Sequence, residues 1–166
     1  YCSLLDKDGN LKEEKLLAVY LNYFSFFFEL NPFTSSSNAH VQIAIVYSEG
    51  SQTGGSKRFL EIHNIKYSNS GQFAKVTDST DISYISGQTK EIFFTKPEEL
   101  FIVTSEYIYR AYLFDEIPSN VQELPIFDFS AYRSIVFNPV SKEILMLHPD
   151  NEFDLLDVAH CGSSLT

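Results

Sequence analysis

The histidines, the cysteines and the carboxylates near the carboxyl end are the side chains of this sequence with the most distinctive chemistry. His148 and Asp150 are two residues apart, and His160 directly precedes Cys161. Imidazole, thiolate and carboxylate are the ligands that zinc prefers, but structural zinc sites show tighter and more regular spacing than this. The sequence therefore predicts no metal site and no cofactor. The remaining histidines are His40 and His63.

A cysteine nucleophile is the second chemistry to consider. Cys161 would need a histidine that activates it and a third group that orients that histidine. The adjacent His160 points to the opposite side in an extended segment. We therefore predict no catalytic residue and keep a Cys/His hydrolase as a weak alternative.

The two cysteines, Cys2 and Cys161, lie close to opposite ends of the chain. A disulfide between them would close nearly the whole chain, which the chain-entropy model values at about 4–5 kcal/mol. Such a bond implies an oxidising compartment, so we predict an extracellular or secretory-pathway protein. Two free thiols in a cytoplasmic protein are the alternative. The sequence begins at Tyr1 without Met, which indicates either a removed leader or an excised fragment.

Aromatic side chains are the most unusual part of the composition. The chain has 15 Phe and 10 Tyr but no Trp. Aromatic rings on short antiparallel strands can line an apolar pocket, and tyrosine hydroxyls can orient a ligand there. The alternative is that the rings only fill a core. The predicted ligand-binding residues are Tyr67, Phe73, Tyr84, Tyr107, Tyr109 and Tyr112.

The segment that must position these residues is the apolar stretch 14–30, EKLLAVYLNYFSFFFEL. It is too long and too irregular in its alternation for one strand. Asn10 and Glu13 form a potential capping pair, and Asn31-Pro32 is a stop signal. These features predict a buried helix over residues 11–30. Polar residues inside the segment make a membrane span improbable.

Most of the remaining chain alternates apolar and polar residues between turn signals, which predicts strands. We expect strands at 40–48, 58–67, 73–76, 82–85, 90–95, 100–105, 106–115, 131–137 and 143–148, with an irregular connection over 116–130. A short helix is predicted over 149–159. Few residues separate successive strands, so pairing should be antiparallel.

These elements predict a single α+β domain over residues 1–166. One long N-terminal helix would pack against a curved, mainly antiparallel sheet of seven or eight strands, with barrel-like closure as a variant and a short C-terminal helix. In strand count and length the prediction resembles a calycin-type binder. The G-x-W motif is absent and the helix precedes the strands, so the sequence supports no family assignment.

The net charge of −10 disfavours nucleic acid, whose binding requires a basic face. The acidity is concentrated in the last third: residues 1–56 carry −3, residues 57–110 carry 0 and residues 111–166 carry −7, which sum to −10. The leading hypothesis is a non-enzymatic secreted protein that binds a small apolar or aromatic ligand in a sheet-lined pocket. The alternative is a protein–protein interaction domain without a pocket, acting through a sheet face or the acidic last third.

Overall fold

The computed structural model describes residues 2–5, 8–15, 19, 23–34, 40–50, 56–67, 73–114, 117–123 and 131–157. Over these ranges the chain forms thirteen β-strands and no α-helix. The strands are β1 Cys2–Leu5, β2 Leu11–Lys15, β3 Tyr23–Leu30, β4 His40–Gly50, β5 Ser56–Tyr67, β6 Phe73–Asp81, β7 Thr89–Lys96, β8 Glu99–Thr104, β9 Ile108–Phe114, β10 Ile117–Glu123, β11 Ser134–Asn138, β12 Glu143–Leu147 and β13 Phe153–Asp157.

All strand pairs are antiparallel, as the sequence predicted. Strands β3 to β6 form the first sheet in chain order, and β7 to β10 form the middle sheet in chain order. Strands β11 to β13 form the third sheet, while β1 and β2 make a two-stranded ribbon. Within each sheet, successive strands are therefore neighbours, which requires only short connections.

The predicted α+β class is wrong, because the segment expected to be a long helix is divided between two strands. Leu11–Lys15 pairs with β1, and Tyr23–Leu30 pairs with β4 as the edge of the first sheet. Aromatic residues favour strands over helices, and the run YFSFFFEL is dominated by them. Gly9 has a φ of 83° and makes a turn before β2, where a helix cap was predicted.

The predicted C-terminal helix is also wrong. Phe153–Asp157 is a strand that pairs with β12. Asn151 adopts a φ of 71° and turns the chain back onto that strand. Two further errors occurred where strands contain many polar residues. Strand β6 runs unbroken over Phe73–Asp81, and β10 lies within the segment predicted to be irregular.

The first core lies between the first and middle sheets. Its fully buried members include Val46, Leu60 and Ile62 from the first sheet, and Leu100 and Ile102 from the middle sheet. Ile82 and Ile85 also lie in this core, although they belong to the turn after β6 and not to a strand as predicted. Each fully buried aliphatic side chain of this kind stabilises the fold by about 1.5–3 kcal/mol.

The second core lies between the opposite face of the middle sheet and the third sheet. Phe101 and Val103 of β8 meet Ile135, Ile144 and Met146 of the third sheet. The rings of Phe93 and Phe137 stack across this interface with centroids 4.6 Å apart. The three larger sheets thus form a three-layer stack, and β8 of the middle sheet is buried on both faces.

A network of side-chain amides closes one end of the first core. The Asn31 Nδ2 donates to Gln42 Oε1 at 2.7 Å and to the Pro97 carbonyl oxygen at 2.8 Å. The Gln42 Nε2 donates to Asn64 Oδ1 at 3.0 Å. Because Pro97 lies in the β7–β8 turn, this network joins the first and middle sheets.

Candidate interaction surface

The outer face of the third sheet carries an exposed row of aliphatic side chains. Val136 lies directly opposite Leu145, and Leu145 lies directly opposite Leu155. Their exposed fractions are 55%, 40% and 57%. Phe153 begins the next row and is 61% exposed. We call these four residues the apolar outer face. Contiguous exposed apolar surface of this kind marks an interaction site more often than scattered single residues do.

The apolar outer face arises from alternation along β11 and β12 and from the exposed side chains of β13. Ile135, Ile144 and Met146 alternate with exposed neighbours and point into the second core. An isolated three-stranded sheet needs only one buried face, and the outward positions are normally polar. Aliphatic residues therefore occupy positions here that the fold does not require to be apolar.

Carboxylates flank this face. Glu143 lies directly opposite Asp157 in the row that follows Leu145 and Leu155. Residues 131–157 contain two basic residues and five acidic ones, a net charge of −3. The combination of an apolar centre and an acidic flank favours a partner that has apolar side chains beside basic ones.

A groove of about 250 Å³ continues from this surface to the junction of the three sheets. Glu29 of β3 and Glu91 of β7 line it together with residues of β11. Val136 belongs both to the groove and to the apolar outer face. The apolar part of the groove includes Pro32, Phe93, Ile135, Val136, Phe137 and Pro139.

The electrostatics of the groove are set by its two carboxyls. Burial raises the pKa of Glu29, and the nearby Glu91 carboxylate raises it further. Burial also raises the pKa of Glu91, against a smaller opposing effect of the Ile92 N–H, which donates to Glu91 Oε1 at 3.0 Å. Both shifts show that the ionised carboxylates are poorly compensated in this groove.

Three of the predicted ligand-binding tyrosines gather near the turn after β6. The rings of Tyr107 and Tyr109 meet edge to face with centroids 6.0 Å apart. The Tyr109 hydroxyl accepts a hydrogen bond from the Ser86 N–H at 2.8 Å, so it supports the turn. Tyr84 is 65% exposed. Its partial burial raises the pKa of its hydroxyl, and the nearby Tyr109 raises this pKa further. Tyr109 itself is a member of the first core.

Tyr112 is separated from that group because it lies on the opposite face of β9. Alternation along β9 places Tyr109 and Ala111 in the first core and Ile108 in the second. Tyr112 lies beside Arg110, whose guanidinium is 5.0 Å from its ring centroid. Tyr67 and Phe73 are paired with each other across β5 and β6, and their side chains lie outside the described part of the structure.

Tyr112 does border a separate surface depression of about 450 Å³. Its other lining residues come from the β7–β8 turn, and they include Lys96 and the buried Glu99. The Lys96 ammonium is 3.7 Å from Glu99 Oε2, and the Thr95 hydroxyl donates to Glu99 Oε1. The adjacent carboxylates Glu98 and Glu99 therefore differ, because Glu98 is exposed and Glu99 is buried.

The histidines form polar contacts that are separate from one another. His63 is fully buried on β5, where its Nε2 is 3.0 Å from Glu61 Oε2 and its Nδ1 is 3.3 Å from the Thr77 hydroxyl. His40 Nε2 is 3.2 Å from Asn64 Oδ1 in the amide network. Among the described residues, no three His, Cys, Asp or Glu side chains are grouped closely enough to hold a metal ion.

His148 contacts Asp154 and not the Asp150 that sequence spacing suggested. Its Nε2 is 3.0 Å from Asp154 Oδ2, which also accepts the Tyr132 hydroxyl at 2.7 Å. The hydrogen bond from Tyr132 and then that from His148 lower the pKa of the Asp154 carboxyl. His160 and Cys161 lie outside the described residues, as does the Cys2 side chain, so the predicted disulfide and the hydrolase alternative stay predictions.

Comparisons with protein-family models, curated proteins and solved structures find no match to this chain. Within the ranges that the structure describes, no helix is long and apolar enough to cross a membrane.

Sequence reasoning missed both parts of this surface. Phe153 and Leu155 fell within the predicted C-terminal helix, and Glu29 fell within the predicted N-terminal helix. The available signal was the alternation of Val136 and Leu145 with inward residues, which gives two apolar faces to a sheet that needs one. Glu29 and Glu91 are near each other in the groove although they are 62 positions apart in the sequence. No local sequence pattern predicts that proximity.

Proposed function

We propose that this chain is a non-enzymatic protein-interaction domain whose partner covers the apolar outer face. The observation that carries the proposal is the directly paired row Val136, Leu145 and Leu155, exposed on a sheet whose other face is already buried. The partner presents apolar side chains with basic groups at their margin, because carboxylates flank the row. A second copy of the chain fits poorly, since it brings another net charge of −10.

Selection of peptides tests this proposal. A phage-displayed library of random peptides is selected on the full chain, and the affinity of enriched peptides is then measured for variants. We expect the double substitution Leu145→Thr and Leu155→Thr to weaken binding by at least about tenfold, in line with removal of two central apolar contacts. Threonine keeps the strand preference of both positions, so the sheet should be retained.

The matched control is the double substitution Val41→Thr and Val76→Thr. These valines are 40% and 54% exposed on β4 and β6, close to the 40% and 57% of Leu145 and Leu155. Unchanged affinity in the control, with loss in the third-sheet variant, supports the proposal. Equal affinities in both variants, or no enriched peptide at all, would show that the apolar outer face is not the binding surface.

Small-ligand binding is the second candidate, and the depression beside Tyr112 is the observation that favours it. Side chains occupy the interior between the first and middle sheets over the described ranges, so a ligand would bind at the surface. We infer that such a ligand is small and partly aromatic, and that it binds in the depression that Tyr112 borders. Titration of the chain with a library of aromatic fragments, followed by NMR, tests this. Shifts confined to other surfaces contradict it.

Secretion is a further proposal that rests on Cys2 and Cys161. Thiol titration of the native chain before and after reduction tests it. No reactive thiol before reduction and two afterwards would indicate the disulfide and an oxidising compartment. Two reactive thiols in the native chain would favour the cytoplasmic alternative.

A further inference from the structure

The groove beside Val136 has features that the apolar outer face alone does not explain. Two carboxylates from different sheets, Glu29 and Glu91, line a depression whose other walls are mostly aromatic and aliphatic. A groove that only completed the apolar surface would not contain ionisable groups. Burying carboxylates near each other costs free energy, so the arrangement is unfavourable while the groove is empty.

Neither carboxylate has a basic partner within the described part of the protein. The described ion pairs involve other residues, such as Lys96 with Glu99 and His148 with Asp154. Lys142 lies at the same end of the third sheet, but its Nζ donates to the Thr95 carbonyl oxygen at 3.3 Å and lies 4.7 Å from the Phe33 ring centroid. The charge of the groove is therefore available to an external cation.

We propose that the partner inserts one basic side chain, Lys or Arg, into the groove between Glu29 and Glu91 while its apolar residues cover the outer face. This inference rests on the proposed function. It follows from charge complementarity and from the position of Val136, which belongs to both surfaces. A basic side chain of the partner can therefore enter the groove beside Val136 while apolar residues of the same partner contact Leu145.

The composition of the walls matches such a side chain. Lysine and arginine have long apolar stems that pack on aromatic and aliphatic surfaces while the charged end meets a carboxylate. Phe93 and Phe137 both line the groove, and their rings stack on each other with an interplanar angle of 11°. A volume of about 250 Å³ is enough for one such side chain and too small for a folded element.

Parallel selections separate this inference from the proposed function. The same random peptide library is selected on the wild-type chain and on the double variant Glu29→Gln and Glu91→Gln. On the wild type we expect enriched peptides to combine apolar residues with one recurrent Lys or Arg. On the double variant the enrichment of that basic residue should fall at least about tenfold, while the apolar residues stay enriched.

A thermodynamic cycle adds a quantitative test. One enriched peptide and its version with the basic residue replaced by Met are titrated against both chains. We expect the Met version to bind at least tenfold more weakly to the wild type and about equally to the double variant. The control Glu98→Gln, an exposed carboxylate outside the groove, should behave as the wild type does.

Each other outcome counts against the inference. Persistent selection of the basic residue on the double variant shows that it binds elsewhere. Self-association of the wild-type chain that the double variant abolishes assigns the groove to a second copy. If no peptide is enriched on the wild type, the proposed function itself is contradicted. If apolar peptides are enriched on the wild type but show no preference for Lys or Arg, only this inference is contradicted.

Discussion

The Asn31 amide group donates a hydrogen bond to the Pro97 carbonyl oxygen at 2.8 Å, and this bond joins the first sheet to the turn of the middle sheet. Asn31 is only 4% exposed, and its Oδ1 also accepts the Phe33 N–H at 3.0 Å. One side chain thus satisfies two acceptors and one donor from three parts of the chain. The Asn31 side chain should therefore contribute more to the free energy of unfolding than an ordinary surface amide does.

Substitution of this residue tests that expectation. We expect Asn31→Ala to lower the free energy of unfolding by about 2–3 kcal/mol, because it leaves the Gln42 Oε1 and the Pro97 carbonyl without their donor. Urea unfolding followed by circular dichroism measures the change. The exposed Gln88→Ala is the control and should change stability by less than about 0.5 kcal/mol. A similar small change for Asn31→Ala would show that water replaces these bonds.

Two glycines with positive φ should respond differently to alanine. Gly87 has a φ of 77°, and an added Cβ would lie 2.8 Å from the Thr104 hydroxyl and 3.0 Å from the Glu106 nitrogen. Gly9 has a φ of 83° but no atom within 4 Å of that position. We expect Gly87→Ala to cost about 2–4 kcal/mol and Gly9→Ala about 1 kcal/mol. Equal losses in thermal or urea unfolding would contradict the crowding at Gly87.

Neutralising one carboxylate of the groove should stabilise the chain at neutral pH. The folded-state pKa of Glu91 is raised, so its ionisation opposes folding above that pKa, and the penalty disappears as the pH falls below the unfolded value. After discounting for solvent screening, we expect Glu91→Gln to raise Tm by about 1–3 °C at pH 7. The difference from the wild type should shrink towards pH 4. A Tm gain that is the same at both pH values would contradict this explanation.

Truncation to alanine should lower the free energy of unfolding much more for a leucine of the core than for a leucine of the outer face. Leu100 is fully buried in the first core, whereas Leu145 is 40% exposed. We expect Leu100→Ala to lower the free energy of unfolding by about 3 kcal/mol and Leu145→Ala by about 0.5 kcal/mol. Chemical unfolding of both variants measures the difference. A comparable loss in the free energy of unfolding for Leu145→Ala would indicate that Leu145 stabilises the fold and that its role is not to contact a partner.

Much of the sheet could be predicted from local pattern. The β7–β8 hairpin has a turn proline between two apolar runs, and strands were predicted at 90–95 and 100–105, where β7 and β8 form. The errors came where pattern and propensity disagree. The capping pair Asn10 and Glu13 precedes the stretch 14–30, which begins with helix-forming leucines. Strand β3 nevertheless forms, because the second half of the stretch is aromatic and because β4 is available as a partner, which a local pattern does not contain.

The candidate surface was less predictable for a physical reason. Whether Phe153 and Leu155 are core or surface residues depends on which face of a short strand meets the middle sheet, and that is decided by packing. The predicted aromatic site shows the same dependence, because Tyr109 and Tyr112 are close in sequence yet lie on opposite sides of one sheet. Alternation gives the two faces but does not tell which of them a second layer covers.

Every residue of β8 is buried, because this strand belongs to the layer that both cores share. The third sheet cannot separate from the stack without exposing Phe101 and Val103, so we expect the three layers to unfold in a single transition. Occupancy of the apolar outer face is then linked to the stability of the entire chain. A peptide present at a hundred times its dissociation constant should add about 2.7 kcal/mol to the free energy of unfolding. Thermal denaturation can therefore detect a partner without a label on either molecule.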